Sequence, residues 1–134
     1  LKKTYNLLLF SGSDCIIKIT MAENLTEKKC VSCEAGTPPF GAEKIAEYSK
    51  QLKTKWDSKE GKKLRQEFEF KDFKEAVAFI NKIAGVAESE GHHPDIFVFY
   101  NKVAIELWTH ASGGLTENDF IVAAKIEALT LPAV

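Results

Sequence analysis

At 134 residues the chain has the length of one domain, burying roughly two-thirds of its unfolded surface, with room besides only for a tail. With 45% hydrophobic, 28% charged and 10% aromatic residues, its composition argues against disorder, collagen-like repeats and coiled coil. Lys plus Arg number 18 and Asp plus Glu 19, so there is no global field to capture nucleic acid or an anionic membrane, and no local basic patch stands in for one. Apolar runs such as Leu7 to Phe10 and Ile96 to Phe99 fall far short of the roughly 18 residues of a membrane span. Three cysteines, Cys15, Cys30 and Cys33, make a poor disulfide framework and suit a reducing, cytoplasmic interior.

The first 20 residues lack an initial Met, and Met21 is a plausible start. Lys2 and Lys3 ahead of Leu7 to Phe10 imitate a signal peptide, but the apolar stretch is shorter than the ~7 residues required. The segment is native, targeting or added. Residues 21–41 are polar and irregular, carrying Cys30-x-x-Cys33 and Pro38-Pro39. Residues 1–41 are therefore read as an N-terminal extension or arm, and 42–134 as the domain. The Asn24-Leu25-Thr26 sequon has no secretory context and is read as chance.

From Ala42, the spacing of Ile45, Tyr48 and Leu52 predicts a short helix ending near Lys53. Leu64 to Phe70 alternates Leu64, Gln66, Phe68 and Phe70 with Arg65, Glu67 and Glu69, a strand buried on one face. Asp72 is a candidate N-cap for a long helix whose stripe runs Phe73, Ala76, Val77, Ile80, Ile83, Ala84 and Ala87, stopping at Gly91. Ile96 to Tyr100 and Lys102 to Trp108 read as an antiparallel hairpin turning at Asn101. After the turn at Ser112-Gly113-Gly114, Thr116 and Asp119 form a capping box for a last helix with the stripe Ile121, Ala124, Ala128 and Leu131, closed by Pro132. The order predicts an α+β fold, an antiparallel sheet with helices covering one face.

All three histidines, His92, His93 and His110, fall around this hairpin, whose outer ends should bring His93 and His110 together. Imidazoles titrate near neutrality, so facing rings can give and take a proton in one turnover. For any one histidine, a helix-end or turn role is the plainer reading; the convergence of three favours an acid/base site. A zinc site completed by Glu88, Asp95 or Asp119 is set aside, because adjacent histidines rarely both reach one ion. Glu88, four residues before His92, can orient a ring or be a solvated last-turn residue. Asp119 reads first as the capping acid. Trp56 and Trp108 read as core or interface residues, with ring stacking on a flat ligand as the alternative. The lone Cys30-x-x-Cys33 reads as inert, and Gly113-Gly114 as a plain turn rather than an anion site.

The ordered set Glu88-x-x-x-His92-His93-Pro94-Asp95, Tyr100-Asn101-Lys102-Val103, Leu107-x-Thr109-His110 and Gly114-Leu115-Thr116-x-x-Asp119 resembles the signature of the pterin-4a-carbinolamine dehydratases, a family whose animal members double as dimerisation cofactors of a homeodomain transcription factor. The similarity runs from about Trp56 to Leu129 and includes Phe68-Glu69-Phe70-Lys71-Asp72-Phe73. It implies a four-stranded antiparallel sheet with three helices packed on one face, assembled as a homodimer or homotetramer. It also implies dehydration of 4a-hydroxytetrahydrobiopterin to quinonoid dihydrobiopterin in recycling of the pterin cofactor of aromatic amino acid hydroxylases, with no metal and no organic cofactor. By that resemblance His92 and His110 are the acid/base pair and Glu88 the site carboxylate. His93, Pro94, Asp95, Trp56 and Asp119 are expected at the substrate.

This chain departs from the animal pattern in having Ala111-Ser112-Gly113-Gly114 where those enzymes carry an acid and a cysteine, and Asn118 in place of an arginine. The N-terminal arm with its Cys-x-x-Cys is similar to extensions in some bacterial members. The rival reading is a non-catalytic binding partner, a transcriptional coactivator or assembly factor on the same fold. Retention of all three histidines and Glu88 favours the enzyme.

Overall fold

The computed structural model describes residues 24–32 and 36–130. The expectations for residues 1–20, Met21, Cys33, Leu131 and Pro132 fall outside them. Three helices, α1 (Ala42–Ser49), α2 (Phe73–Glu90) and α3 (Glu117–Ala128), join four strands, β1 (Asp57–Lys59), β2 (Lys63–Glu69), β3 (Asp95–Phe99) and β4 (Lys102–Leu107). The strands form one antiparallel sheet in the order β1-β2-β4-β3. This is the expected α+β fold.

Alternation along the strands decides which face is covered. Phe68 lies opposite Val103, and Leu64 opposite Leu107; with Ile105 they are almost wholly buried under the helices. On the open face Arg65 pairs with Glu106, whose carboxylate accepts hydrogen bonds from Lys63 (3.2 Å) and Arg65 (2.8 Å). Burial pushes the Glu106 pKa up, but these two cations outweigh it and leave it below the usual value. The β3–β4 turn places Tyr100 at φ 56°, and Asn101 anchors it by donating to the Phe70 carbonyl at 2.8 Å.

Asp72 caps α2 by accepting from the Glu75 N–H at 2.9 Å, and Gly91 ends it in the left-handed region at φ 67°. The buried seam of α2 differs from the expected stripe. Ala76, Phe79, Ile83 and Ala87 face the core, while Phe73 and Val77 are 52% and 36% exposed and Ala84 is exposed. The apolar residues of this helix fill two adjacent seams, and the sheet accepts only one. Phe79 fixes the choice by packing its ring 5.0 Å from Phe68 and 4.9 Å from Phe70.

Helix α3 also departs from a one-sided stripe. Residues Asn118 to Ala124, Ile126 and Glu127 are all buried, whereas Ala128 is exposed. The sheet lies on one side of it; Leu25, Phe40 and Tyr48 join the core around it, with Phe120 stacked 6.0 Å from Phe40. The described part of the expected arm is thus docked on the domain, with Leu25 only 2% exposed. Glu127, 1% exposed, accepts from the Lys53 and Thr54 N–H groups, the Thr54 hydroxyl and Trp56 Nε1. That cluster ties the α1–β1 connection to α3.

Leu25→Ala is expected to lower unfolding free energy by about 2–4 kcal/mol, as loss of a buried leucine does. A single urea transition with an earlier midpoint is the predicted result; an unchanged midpoint contradicts docking of this segment.

Candidate active site

Three short pieces of chain build the site. Gly91 turns the chain off α2, its N–H and that of His92 both bonding the Ala87 carbonyl (2.9 and 3.2 Å), so His92 and His93 emerge at the helix end. Beyond β4, Thr109 and Gly114 close a tight loop: the Thr109 N–H donates to Gly114 O at 2.9 Å and Gly113 N–H returns to Thr109 O at 2.9 Å. Gly113 takes φ 72°, and a Cβ on Gly114 would come within 2.9 Å of Pro39, so both positions require glycine. Since the Gly113 and Gly114 N–H groups both bond Thr109 O, the loop is the plain turn expected. The third piece is the start of α3.

Asp119 joins all three pieces. It completes the capping box with Thr116, its Oδ2 accepting from the Thr116 N–H at 2.9 Å and the Thr109 hydroxyl at 2.8 Å. Its Oδ1 lies 2.6 Å from His92 Nε2, and its side chain is fully buried while that of His92 is 13% exposed. The carboxylate therefore holds Nε2 of the His92 ring. Glu88, read either as orienting a ring or as a solvated last-turn residue, pairs with His93 at 2.8 Å, and both are well exposed. His110 stacks on Trp108 at 3.9 Å.

The three histidines line one cavity of about 450 Å³ together with Trp108 and Thr109. Val31, Ser32 and Asn118 contribute to the same lining. Of the other residues expected at the substrate, Pro94 and Asp95 lead into β3 and do not line the cavity. Trp56 is 7% exposed and packs in the core against Phe68, its ring N–H on Glu127. Among the described residues, no three His, Cys, Asp or Glu side chains gather to hold a metal ion, and no helix is long and apolar enough to cross a membrane.

Val31 and Ser32 carry no sequence signal for a site, since only docking of the N-terminal segment brings them there. Glu90 anchors that docking: 3% exposed, it accepts from the Cys30 N–H (2.9 Å) and Lys125 (2.5 Å), with Lys29 3.7 Å away. Burial raises the Glu90 pKa, but Lys125, the Cys30 N–H and Lys29 together bring it below the usual value. Cys30 itself is pushed up to about 12 by burial and by Glu90, so its thiol is a poor nucleophile at neutral pH.

A carboxyl whose pKa is depressed on folding stabilises the native state above its unfolded value, and that gain is lost as pH falls through the lower folded value. Glu90→Gln should therefore lower the urea midpoint at pH 7, with the difference from the parent protein narrowing below about pH 4.5. A difference that stays constant from pH 7 to pH 3 would contradict the ion-pair anchor.

Comparison with known proteins matches the chain to one family. The profile described as Pterin 4 alpha carbinolamine dehydratase matches residues 38–129. A protein of Alkaliphilus metalliredigens that bears the name "putative pterin-4-alpha-carbinolamine dehydratase" is 47% identical over 78% of this chain and 94% of its own. One of Nitrosospira multiformis with the same name is 46% identical over 82% and 96%. The crystal structure of a transcriptional coactivator/pterin dehydratase from Brucella melitensis superposes with a TM-score of 0.63 at 34% identity, covering 68% of this chain and 97% of that one. With its histidines in one cavity and the profile spanning sheet and helices alike, the chain belongs to the pterin-4a-carbinolamine dehydratase family.

Proposed function

We propose that this protein is a hydro-lyase that converts 4a-hydroxytetrahydrobiopterin to quinonoid dihydrobiopterin and water, renewing the pterin used by aromatic amino acid hydroxylases. The observation that carries the reading is the convergence of His92, His93 and His110 on one cavity, with His92 fixed by a buried carboxylate. The reaction breaks the C4a–OH bond. One acid protonates the departing hydroxyl, which leaves as water, and one base takes the ring N5 proton, so the nitrogen's electron pair forms the new C=N bond.

His92 suits the base. In the neutral ring Nε2–H donates to Asp119, Nδ1 is the accepting nitrogen, and the carboxylate stabilises the positive ring formed on proton uptake. His110 suits the acid, its ring braced by Trp108. His93, held by Glu88, suits substrate positioning. Proton transfer by positioned imidazoles accounts for both halves of the step and asks for no metal or organic cofactor.

Assembly into a homodimer or homotetramer is part of the proposal. The sheet ends in β3, an edge strand whose Phe97, Val98, Phe99 and the following Tyr100 are 40–68% exposed, and an apolar edge invites a second chain. A mass above the monomer by light scattering at micromolar concentration is expected, and a monomeric mass contradicts it. The reaction is sited in the cytoplasm.

The test is decay of hydroxylase-generated 4a-carbinolamine with purified protein and a chelator present. His92→Ala and His110→Ala should each lower kcat about 10²-fold or more, whereas His93→Ala should act mainly on KM. Because the pair acts as a unit, the double variant should lose less than the product of the single losses. Near-parental kcat in both single variants would make the histidines structural, and a parental protein that does not accelerate the decay would favour a non-catalytic binding role, to which the coactivator half of the Brucella protein's description points.

A further inference from the structure

The N-terminal segment lends Val31 and Ser32 to the cavity lining, and its attachment there is specific. Asn118, 5% exposed, accepts from the Val31 N–H at 3.1 Å and donates to the Val31 carbonyl at 2.6 Å. One buried amide thus holds both backbone groups of a single residue. The preceding residue is held by Glu90 through the Cys30 N–H, and Leu25 is in the core. Despite this restraint Val31 is 69% exposed. An apolar side chain held firmly at a cavity rim is preorganised for contact with a ligand, because its ordering cost is met before binding.

Resting on the pterin reading above, we infer that Val31 and Ser32 form a specificity wall that contacts the carbon substituent at C6 of the bound pterin, with Asn118 as the positioning residue. The reacting C4a and N5 must lie at the histidines, and C6 is bonded to N5, so its substituent leaves the ring next to the reacting atoms. The pyrimidine edge of the pterin needs fixed donors and acceptors. Valine methyls beside a serine hydroxyl suit a short carbon chain bearing hydroxyls instead. Discrimination between substituents is then set by a segment ahead of α1 rather than by the catalytic loops.

The experiment compares carbinolamines generated from tetrahydrobiopterin and from 6-methyltetrahydropterin, which differ only in that substituent. Val31→Ala removes exposed methyl groups and leaves the core alone. It should raise KM about 3- to 10-fold for the biopterin-derived substrate, the scale of one or two lost methylene contacts, with less than about 2-fold change for the methyl substrate and the effect on KM rather than kcat. Asn118→Ala, which releases the wall, should shift the KM ratio in the same direction. An equal change for both substrates, or none, overturns the wall while leaving the dehydratase reading intact. A parental protein that dehydrates neither substrate overturns both.

Discussion

The carboxylate of Asp119 is the constraint on which the site depends. It is fully buried, where an ionised group is costly unless its lone pairs are satisfied. Its partners come from three places far apart in sequence: the Thr116 N–H that opens α3, the Thr109 hydroxyl beyond β4, and His92 at the end of α2. One charge thereby fixes the start of a helix, closes the 109–114 loop and orients the His92 ring. The same atoms hold the fold and orient His92, so removing the carboxylate would strand buried donors as well as release His92.

A second acidic side chain does comparable work on the outer side of the site. Glu90 lies two residues before His92 and gathers Lys125 from α3, Lys29 and the Cys30 N–H from the N-terminal segment. Glu127 repeats the device in the last turn of α3, satisfying its oxygens with uncharged donors. Helix α3 is therefore held by buried carboxylates along its length, and this explains how a helix so fully covered keeps acidic residues inside.

Much of this was legible in the sequence because its signals are local. Asp72 and Gly91 bound α2, Thr116 and Asp119 open α3, and the alternation from Leu64 to Phe68 sets the inner face of β2. The gathering of three histidines followed from hairpin geometry. What stayed hidden is what only tertiary packing decides. The seam of α2 that docks is chosen by Phe79 meeting Phe68 and Phe70, not by helical period. Glu88 lies at i+4 from Ala84, so the expected stripe put it on the core side of the helix; because the buried seam is rotated, it is exposed and pairs with His93. Trp56 is the core residue its own reading made it, with its ring N–H on Glu127, and only the resemblance had set it at the substrate. The polar residues 24–32 give no sign of docking except Leu25.

The most direct test of the central claim is the protonation pattern of the His92 ring, read by long-range proton–nitrogen NMR on the labelled protein at neutral pH. The account predicts that neutral His92 is a single tautomer, with the proton on Nε2 toward Asp119 and Nδ1 bare, and that Asp119→Asn abolishes this preference. A His92 that samples both tautomers in the parental protein, or whose spectrum is indifferent to Asp119→Asn, would contradict it.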